Sequence, residues 1–150
     1  PATRTLTPRA GFENSLPEVS KFVSQVVLHN NQDPYTMVLI VPEKEALRDF
    51  VQKQGLDPET REGKVAMLQQ IQAEIDSYRR GGAHYGLSPE RWLPAAVVIC
   101  DEAFTIGNRM MNSTMKIVRG KVEEHYADRI AYAYTPEGKQ LLNEKNIASI

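Results

Sequence analysis

The sequence predicts an α+β fold, a small sheet of about three strands flanked by helices. Three observations predict it. Apolar, β-branched runs at residues 22–28, 35–41 and 95–100 are short and bounded by turn formers or proline, as strands are. Over residues 43–54, 61–80 and 117–134 the apolar period lengthens to that of a helix. The 150 residues carry 18 Lys plus Arg against 19 Asp plus Glu, with 41% hydrophobic and 25% charged residues, the proportions of one globular domain.

Residues 22–28 place Val23, Val26 and Val27 in a strand, and His29 to Pro34 form a dense cluster of turn formers. Residues 35–41 are apolar throughout much of their length, which suits a strand buried on both faces, and Pro42 ends it. The spacing suggests an antiparallel pair. Ala46, Leu47, Phe50 and Val51 then fall on one helical face, with Gly55 as the stop. A second helix should cover residues 61–80, because Val65, Leu68, Ile71, Ile75 and Tyr78 line one side and Gly81-Gly82 breaks it. Ser88-Pro89-Glu90 signals a helix start, residues 95–100 read as a third buried strand, and residues 101–112 as an irregular connection. The last long helix is expected over residues 117–134, with Val118, Val122, Tyr126, either Arg129 or Ile130, and Ala133 inward. Thr135-Pro136 should cap a short helix ending near Asn146.

The first ten residues have no apolar periodicity, so residues 1–19 read as a linker or a cut end, and residues 20–150 as the domain. The longest apolar run falls far short of the ~20 residues of a membrane-spanning helix, and no charged-then-apolar leader opens the chain. The expectation is a cytoplasmic protein. Cys100 is the one cysteine, so no internal disulfide is possible. At the end of an apolar strand and next to Asp101 its thiol pKa should be raised, which makes it a core residue rather than a nucleophile. His29, His84 and His125 stand in no recognised metal-ligand spacing, so no metal site is expected. Gly-rich phosphate-binding motifs are absent from the sequence.

One stretch is electrostatically unusual. Arg109, Lys116, Arg119 and Lys121 supply four positive charges without an intervening acidic residue, in a chain whose net charge is −1. If the helix begins near Ile117, Lys116 and Arg119 sit where its dipole disfavours cations, and an anionic partner would relieve them. Taken alone, this leaves open a noncatalytic module that binds nucleic acid or another polyanion. The near-neutral charge and the lack of aromatics in the stretch oppose nucleic acid.

Glu102-Ala103-Phe104-Thr105-x-x-Asn108, followed by Asn112-Ser113-Thr114-Met115-Lys116-Ile117-x-Arg119-x-x-Val122, resembles the C-terminal signature of AMP-forming long-chain acyl-CoA synthetases. These belong to the adenylate-forming superfamily. Val38-Leu39-Ile40-Val41-Pro42-x-x-Glu45-Ala46-Leu47 and Glu90-Arg91-Trp92-Leu93-Pro94 resemble upstream segments of the same family, in collinear order over about residues 20–146. The sequence is most similar to the Bacteroides-type proteins. The resemblance implies the C-terminal lid domain of a fatty acid–CoA ligase that uses ATP to form an acyl adenylate and then acyl-CoA and AMP. Such a lid is inactive alone and works against an N-terminal domain that binds the fatty acid, ATP and Mg2+; coenzyme A is the second substrate. It also implies that Lys116 is the catalytic lysine of adenylation, and that Asn112 and Thr114 shape its loop. Arg119 is implied as a contact for phosphate or coenzyme A, or as a salt bridge to the neighbouring domain. No nucleic acid partner is implied, and the resemblance leaves open a peripheral membrane association of the full-length enzyme. A related ligase with another acyl acceptor fits the same residues. Two departures stand out: Gly107, Asn108 and Arg109 occupy the place of the family's Glu-Asn-Gly, and no Gly-Arg-x-x-Asp hinge occurs in the chain. Glu13, Asn14 and Pro17 resemble a family segment only superficially and receive no function.

Overall fold

The computed structural model describes residues 8–150, with side chains from residue 11 onward. Its centre is a mixed three-stranded sheet in the order β1 (Val23–His29), β2 (Met37–Pro42), β3 (Ala96–Ile99). Strand β1 runs antiparallel to β2 in a register that pairs Val27 with Leu39 and His29 with Met37, with an irregularity between Val23 and Gln25. Strand β3 runs parallel to β2, pairing Leu39 with Val98. All three predicted strands and the antiparallel pair are present.

Side chains along each strand alternate between two faces, and both faces are covered. On one, Val26, Leu28, Val38, Ile40, Val97 and Ile99 pack against three helices, α1 (Pro8–Val19), α2 (Lys44–Lys53) and α3 (Arg61–Asp76). These contribute Phe12, Leu16, Leu47, Val51, Leu68 and Ile71. On the other face, Val27, Met37, Leu39, Val98 and Cys100 meet Phe104, Met110 and two short helices, α4 (Arg119–His125) and α5 (Ala127–Ala133). This two-sided burial explains why the residues of β2 are apolar at successive positions rather than alternating. Two small helices, α6 (Pro136–Lys139) and α7 (Glu144–Ser149), close the chain. Side-chain caps fix three helix starts: Thr60 accepts from Gly63 N at 3.1 Å, Thr135 from Gly138 N at 3.0 Å and Asn143 from Asn146 N at 2.9 Å.

Five expectations are corrected. Residues 8–19 are not a linker: they form α1, whose Phe12 ring lies 4.9 Å from Tyr78 and whose Ser15 hydroxyl is 2.6 Å from the Tyr78 hydroxyl. The linker reading of residues 1–7 lies outside the described residues. Helix α3 stops at Asp76, and Ser88-Pro89-Glu90 yields only a single 3-10 turn at Glu90–Trp92. The long helix of residues 117–134 is two. Tyr126 takes φ −104 and ψ 22 between α4 and α5, although the bonds Tyr126 N to Val122 O and Ile130 N to Tyr126 O run across the junction. The bend sets the buried Tyr126 ring against the sheet, and its hydroxyl donates to Asp101 Oδ1 at 3.2 Å. The terminal helix is likewise divided, with Gln140–Asn143 between α6 and α7.

Candidate functional site

The stretch that follows β3 is built from two consecutive loops, each folded around an asparagine. Gln25 on β1 anchors the first: its side chain accepts from Phe104 N at 2.8 Å and donates to Phe104 O at 3.0 Å, the pairing a neighbouring strand would make. Phe104 itself is buried under the sheet. Asn108 Oδ1 accepts from Thr105 N at 2.9 Å and Met110 N at 3.1 Å, while its Nδ2 donates to Ala103 O at 2.8 Å. Arg109 adopts φ 68, a left-handed conformation that suits glycine. Arg109 is therefore a strained residue at the corner of the turn.

The second loop is a narrow hairpin. Met111 and Ile117 form an isolated antiparallel bridge, and Val118 N donates to Met110 O at 2.8 Å. Inside it, Asn112 Oδ1 accepts from Thr114 N at 3.0 Å, Thr114 Oγ1 at 2.7 Å and Lys116 N at 3.0 Å. Asn112 N donates to Lys116 O at 2.9 Å and Met115 N to Asn112 O at 3.0 Å. Met115 is left-handed at φ 63 and its side chain is 64% exposed. Lys116 follows at the tip, exposed, and among the described residues no carboxylate lies within ion-pair distance of its ammonium.

This geometry revises the electrostatic reading. Helix α4 begins at Arg119, so Lys116 lies outside the helix and opposes no dipole. Arg119 forms a fork with Glu13 of α1, its two terminal nitrogens donating at 2.8 and 2.7 Å, and a further bond to Leu28 O at 2.7 Å. The hydrogen bonds to Glu13 hold its pKa above the ordinary value. Lys121 lies 3.8 Å from Glu124. Of the four cations, then, Arg109 and Lys116 are the two without an acidic partner among the described residues. A groove of about 530 Å³ runs along β1, lined among others by Glu13, Asn14, Gln25, Met111, Lys116 and Arg119.

Glu13 is noted in the sequence only for a superficial resemblance that carries no function, and nothing in the sequence singles out Gln25. Each acts on a residue far along the chain, Glu13 on Arg119 and Gln25 on Phe104, and no local pattern announces such a pairing. The histidines stay apart: His29 lies between Glu123 and Asp33, His84 near the Tyr78 ring at 5.6 Å, and His125 3.3 Å from Glu102. Among the described residues no group of three or more His, Cys, Asp or Glu side chains is placed to hold a metal ion. Cys100 is buried, and burial pushes its thiol up to about 12, as expected of a core residue. Among the described residues no helix is long and apolar enough to cross a membrane.

No protein-family model matches the sequence, and no curated protein matches it significantly. Solved structures do match. The A-PCP didomain of a carboxylic acid reductase from Segniliparus rugosus, in complex with AMP, superposes with a TM-score of 0.58 at 22% identity over 84% of this chain. The fold is one found within adenylation domains. The adenylation domain of a carboxylate reductase from Mycobacterium chelonae gives 0.54 at 19% identity over 85% of the chain. The A domain from Segniliparus rugosus, with AMP and a co-purified carboxylic acid, gives 0.56 at 22%. This chain spans only 16–17% of the length of those structures. At these identities the likeness concerns the fold alone.

Proposed function

We propose that residues 20–150, together with α1, form the C-terminal lid of an AMP-forming long-chain fatty acid–CoA ligase, with Lys116 as its catalytic residue in adenylation. The observation that carries the reading is the position of Lys116: an exposed ammonium with no carboxylate partner among the described residues, on a hydrogen-bonded hairpin, in a fold that occurs within adenylation domains. The chain has no Gly-rich phosphate loop of its own, so the group this ammonium serves is held by a larger partner domain.

The chemistry asks for such a cation. A carboxylate oxygen attacks the α-phosphorus of ATP, the bond to the bridging oxygen of pyrophosphate breaks, and negative charge accumulates where two anions already repel. A positioned ammonium offsets that repulsion and the charge that develops. Lysine suits a moving element because its charge is compact and its stem long, and the charge withdraws when the lid turns away for thioester formation. Mg2+ travels with ATP and is held in the partner domain. Arg119 is the second cation on the groove; a third of its side chain stays exposed beside the Glu13 fork and offers a phosphate or coenzyme A contact. The proposed enzyme is cytoplasmic, a reading that leaves peripheral membrane association of the full-length protein open. A ligase with another acyl acceptor shares every residue used here, and the acceptor is read out separately below. The net charge of −1 and the absence of aromatic residues from positions 109–121 speak against a nucleic-acid-binding module.

The test is made on the complete enzyme. Lys116→Ala should lower fatty-acid-dependent ATP–pyrophosphate exchange by about 100-fold or more, the scale of one lost transition-state contact. Thioester formation from preformed acyl adenylate and coenzyme A should be spared. Exchange near the wild-type rate would overturn the assignment. Failure with coenzyme A alone, with other thiol acceptors active, would replace the acceptor and keep the lysine.

A further inference from the structure

We infer that the side-chain amide of Asn112 is a positioning residue for Lys116, holding the hairpin in the one conformation that presents the ammonium. The inference rests on the reading of Lys116 as the adenylation lysine. It begins from a strained residue. Met115 is neither glycine nor asparagine, yet it sits at φ 63, a conformation that costs roughly 1–2 kcal/mol for an ordinary side chain. Burial of Met115 does not offset this, because its side chain is 64% exposed. What the left-handed turn does achieve is a reversal of the chain immediately before Lys116.

The side-chain hydrogen bonds described within this turn converge on Asn112. One oxygen, Oδ1, takes three donors: Thr114 N at 3.0 Å, Thr114 Oγ1 at 2.7 Å and Lys116 N at 3.0 Å. The third is the amide of Lys116 itself. With the backbone bonds Asn112 N to Lys116 O at 2.9 Å and Met115 N to Asn112 O at 3.0 Å, residues 112 and 116 are locked face to face. The loop is exposed at residues 112–116, so no packed core would hold it if the oxygen were removed. Water would then compete for each of the three donors, and Met115 would relax out of its left-handed well. The ammonium stem would lose its fixed root. A flexible side chain on a mobile root spends less time at a reaction centre in another domain, and misplacement by about 1 Å is enough to cost on the order of 100-fold.

A role through orientation makes a distinctive kinetic prediction. Asn112→Ala in the complete enzyme should lower kcat for fatty-acid-dependent ATP–pyrophosphate exchange by about 10- to 100-fold, with KM for ATP and fatty acid within about twofold. Thioester formation from preformed acyl adenylate, which does not use Lys116, should stay at the wild-type rate. Asn112→Asp keeps an oxygen at the same place and should restore most of the exchange rate; Asn112→Leu, similar in size without the acceptor, should not. Near-wild-type exchange in Asn112→Ala, alongside an inactive Lys116→Ala, would overturn this inference and leave the lysine assignment standing. Near-wild-type exchange in both variants would overturn the lysine assignment itself. Equal losses in both half-reactions, or no recovery in Asn112→Asp, would show general damage rather than positioning and would also overturn it.

Discussion

Asn146, wholly buried on α7, completes the outer edge of β3: its Oδ1 accepts from Ile99 N at 2.9 Å and its Nδ2 donates to Val97 O at 2.8 Å. One amide thus replaces the strand that would otherwise lie beside β3. The same oxygen accepts from Arg129 at 2.8 Å, and the same nitrogen donates to Leu141 O at 3.0 Å. A buried strand edge without partners is costly, and here the sequence closes it with a single side chain.

Asn146→Ala should therefore destabilise the domain by about 2–4 kcal/mol, because two buried backbone groups of β3 lose their partners at about 1–3 kcal/mol each, less whatever water recovers. Urea denaturation followed by circular dichroism measures it. Asn146→Leu should be no better despite filling the site. A loss under about 0.5 kcal/mol in both variants would mean that the edge is solvated and the amide dispensable.

The contrast between Asn146 and the strands shows what the sequence makes legible. Val38, Leu39 and Ile40 announce a doubly buried strand through composition, and Val65, Leu68 and Ile71 announce α3 through period, because both signals are local. Helix α1 was hidden: among its described residues Phe12 and Leu16 are the ones that reach the core, too few for a visible period, and its other anchors are the polar contacts of Glu13 and Ser15. The division at Tyr126 was hidden for the converse reason. Val122, Tyr126, Ile130 and Ala133 keep a helical period across a bend that is imposed by packing against the sheet. In the candidate site, the turn around Asn112 and Lys116 is built from residues close in sequence, whereas the partners of Arg119 and Phe104 lie on α1 and β1 and no spacing rule connects them.

Cys100 gives the domain a calculable response to alkali. Its thiol is pushed from 9.0 up to about 12, chiefly by burial, so the folded state holds the proton at pH values where the unfolded chain has released it. The unfolded state then binds fewer protons, and stability must fall as pH rises. The contribution is complete below about pH 9 and is lost progressively between about 9 and 12. Tyr126 and Tyr134, whose hydroxyls are also raised by burial, add losses of the same sign. Chemical denaturation at pH 8, 9 and 10 should show a steeper decline for the wild type than for Cys100→Ala, which keeps the tyrosine contribution only. Iodoacetamide should alkylate Cys100 in the native protein at pH 8 only as fast as the domain opens. Parallel slopes, together with rapid native alkylation, would show an accessible thiol.

The opposite edge of the sheet is closed by a different device. At Leu28 of β1, the backbone N donates to Glu13 Oε2 at 2.6 Å and the backbone O accepts from Arg119 at 2.7 Å, while the two side chains form their fork with each other. The carboxylate is 11% exposed and the guanidinium 34%, so the pair is partly shielded from water and each member also satisfies a strand group. A double-mutant cycle of Glu13→Gln and Arg119→Gln should give a coupling energy of about 1–2 kcal/mol, above the usual value for a surface pair and below that of a fully buried one. Each single variant should lose more stability than the coupling alone, because the remaining partner keeps a charge with nothing to answer it. Additivity within about 0.3–0.5 kcal/mol would show that the fork is incidental and that α1 is held by its other contacts, Phe12, Leu16 and the Ser15–Tyr78 bond among them. Since Arg119 lines the same groove as Lys116, Glu13→Gln has a second use: it frees the guanidinium while leaving both cations in place. If the fork is what fixes that wall of the groove, the variant should lower the midpoint of unfolding and leave the Lys116 hairpin, which is held by its own asparagine, unchanged in hydrogen exchange at the Thr114 and Lys116 amides.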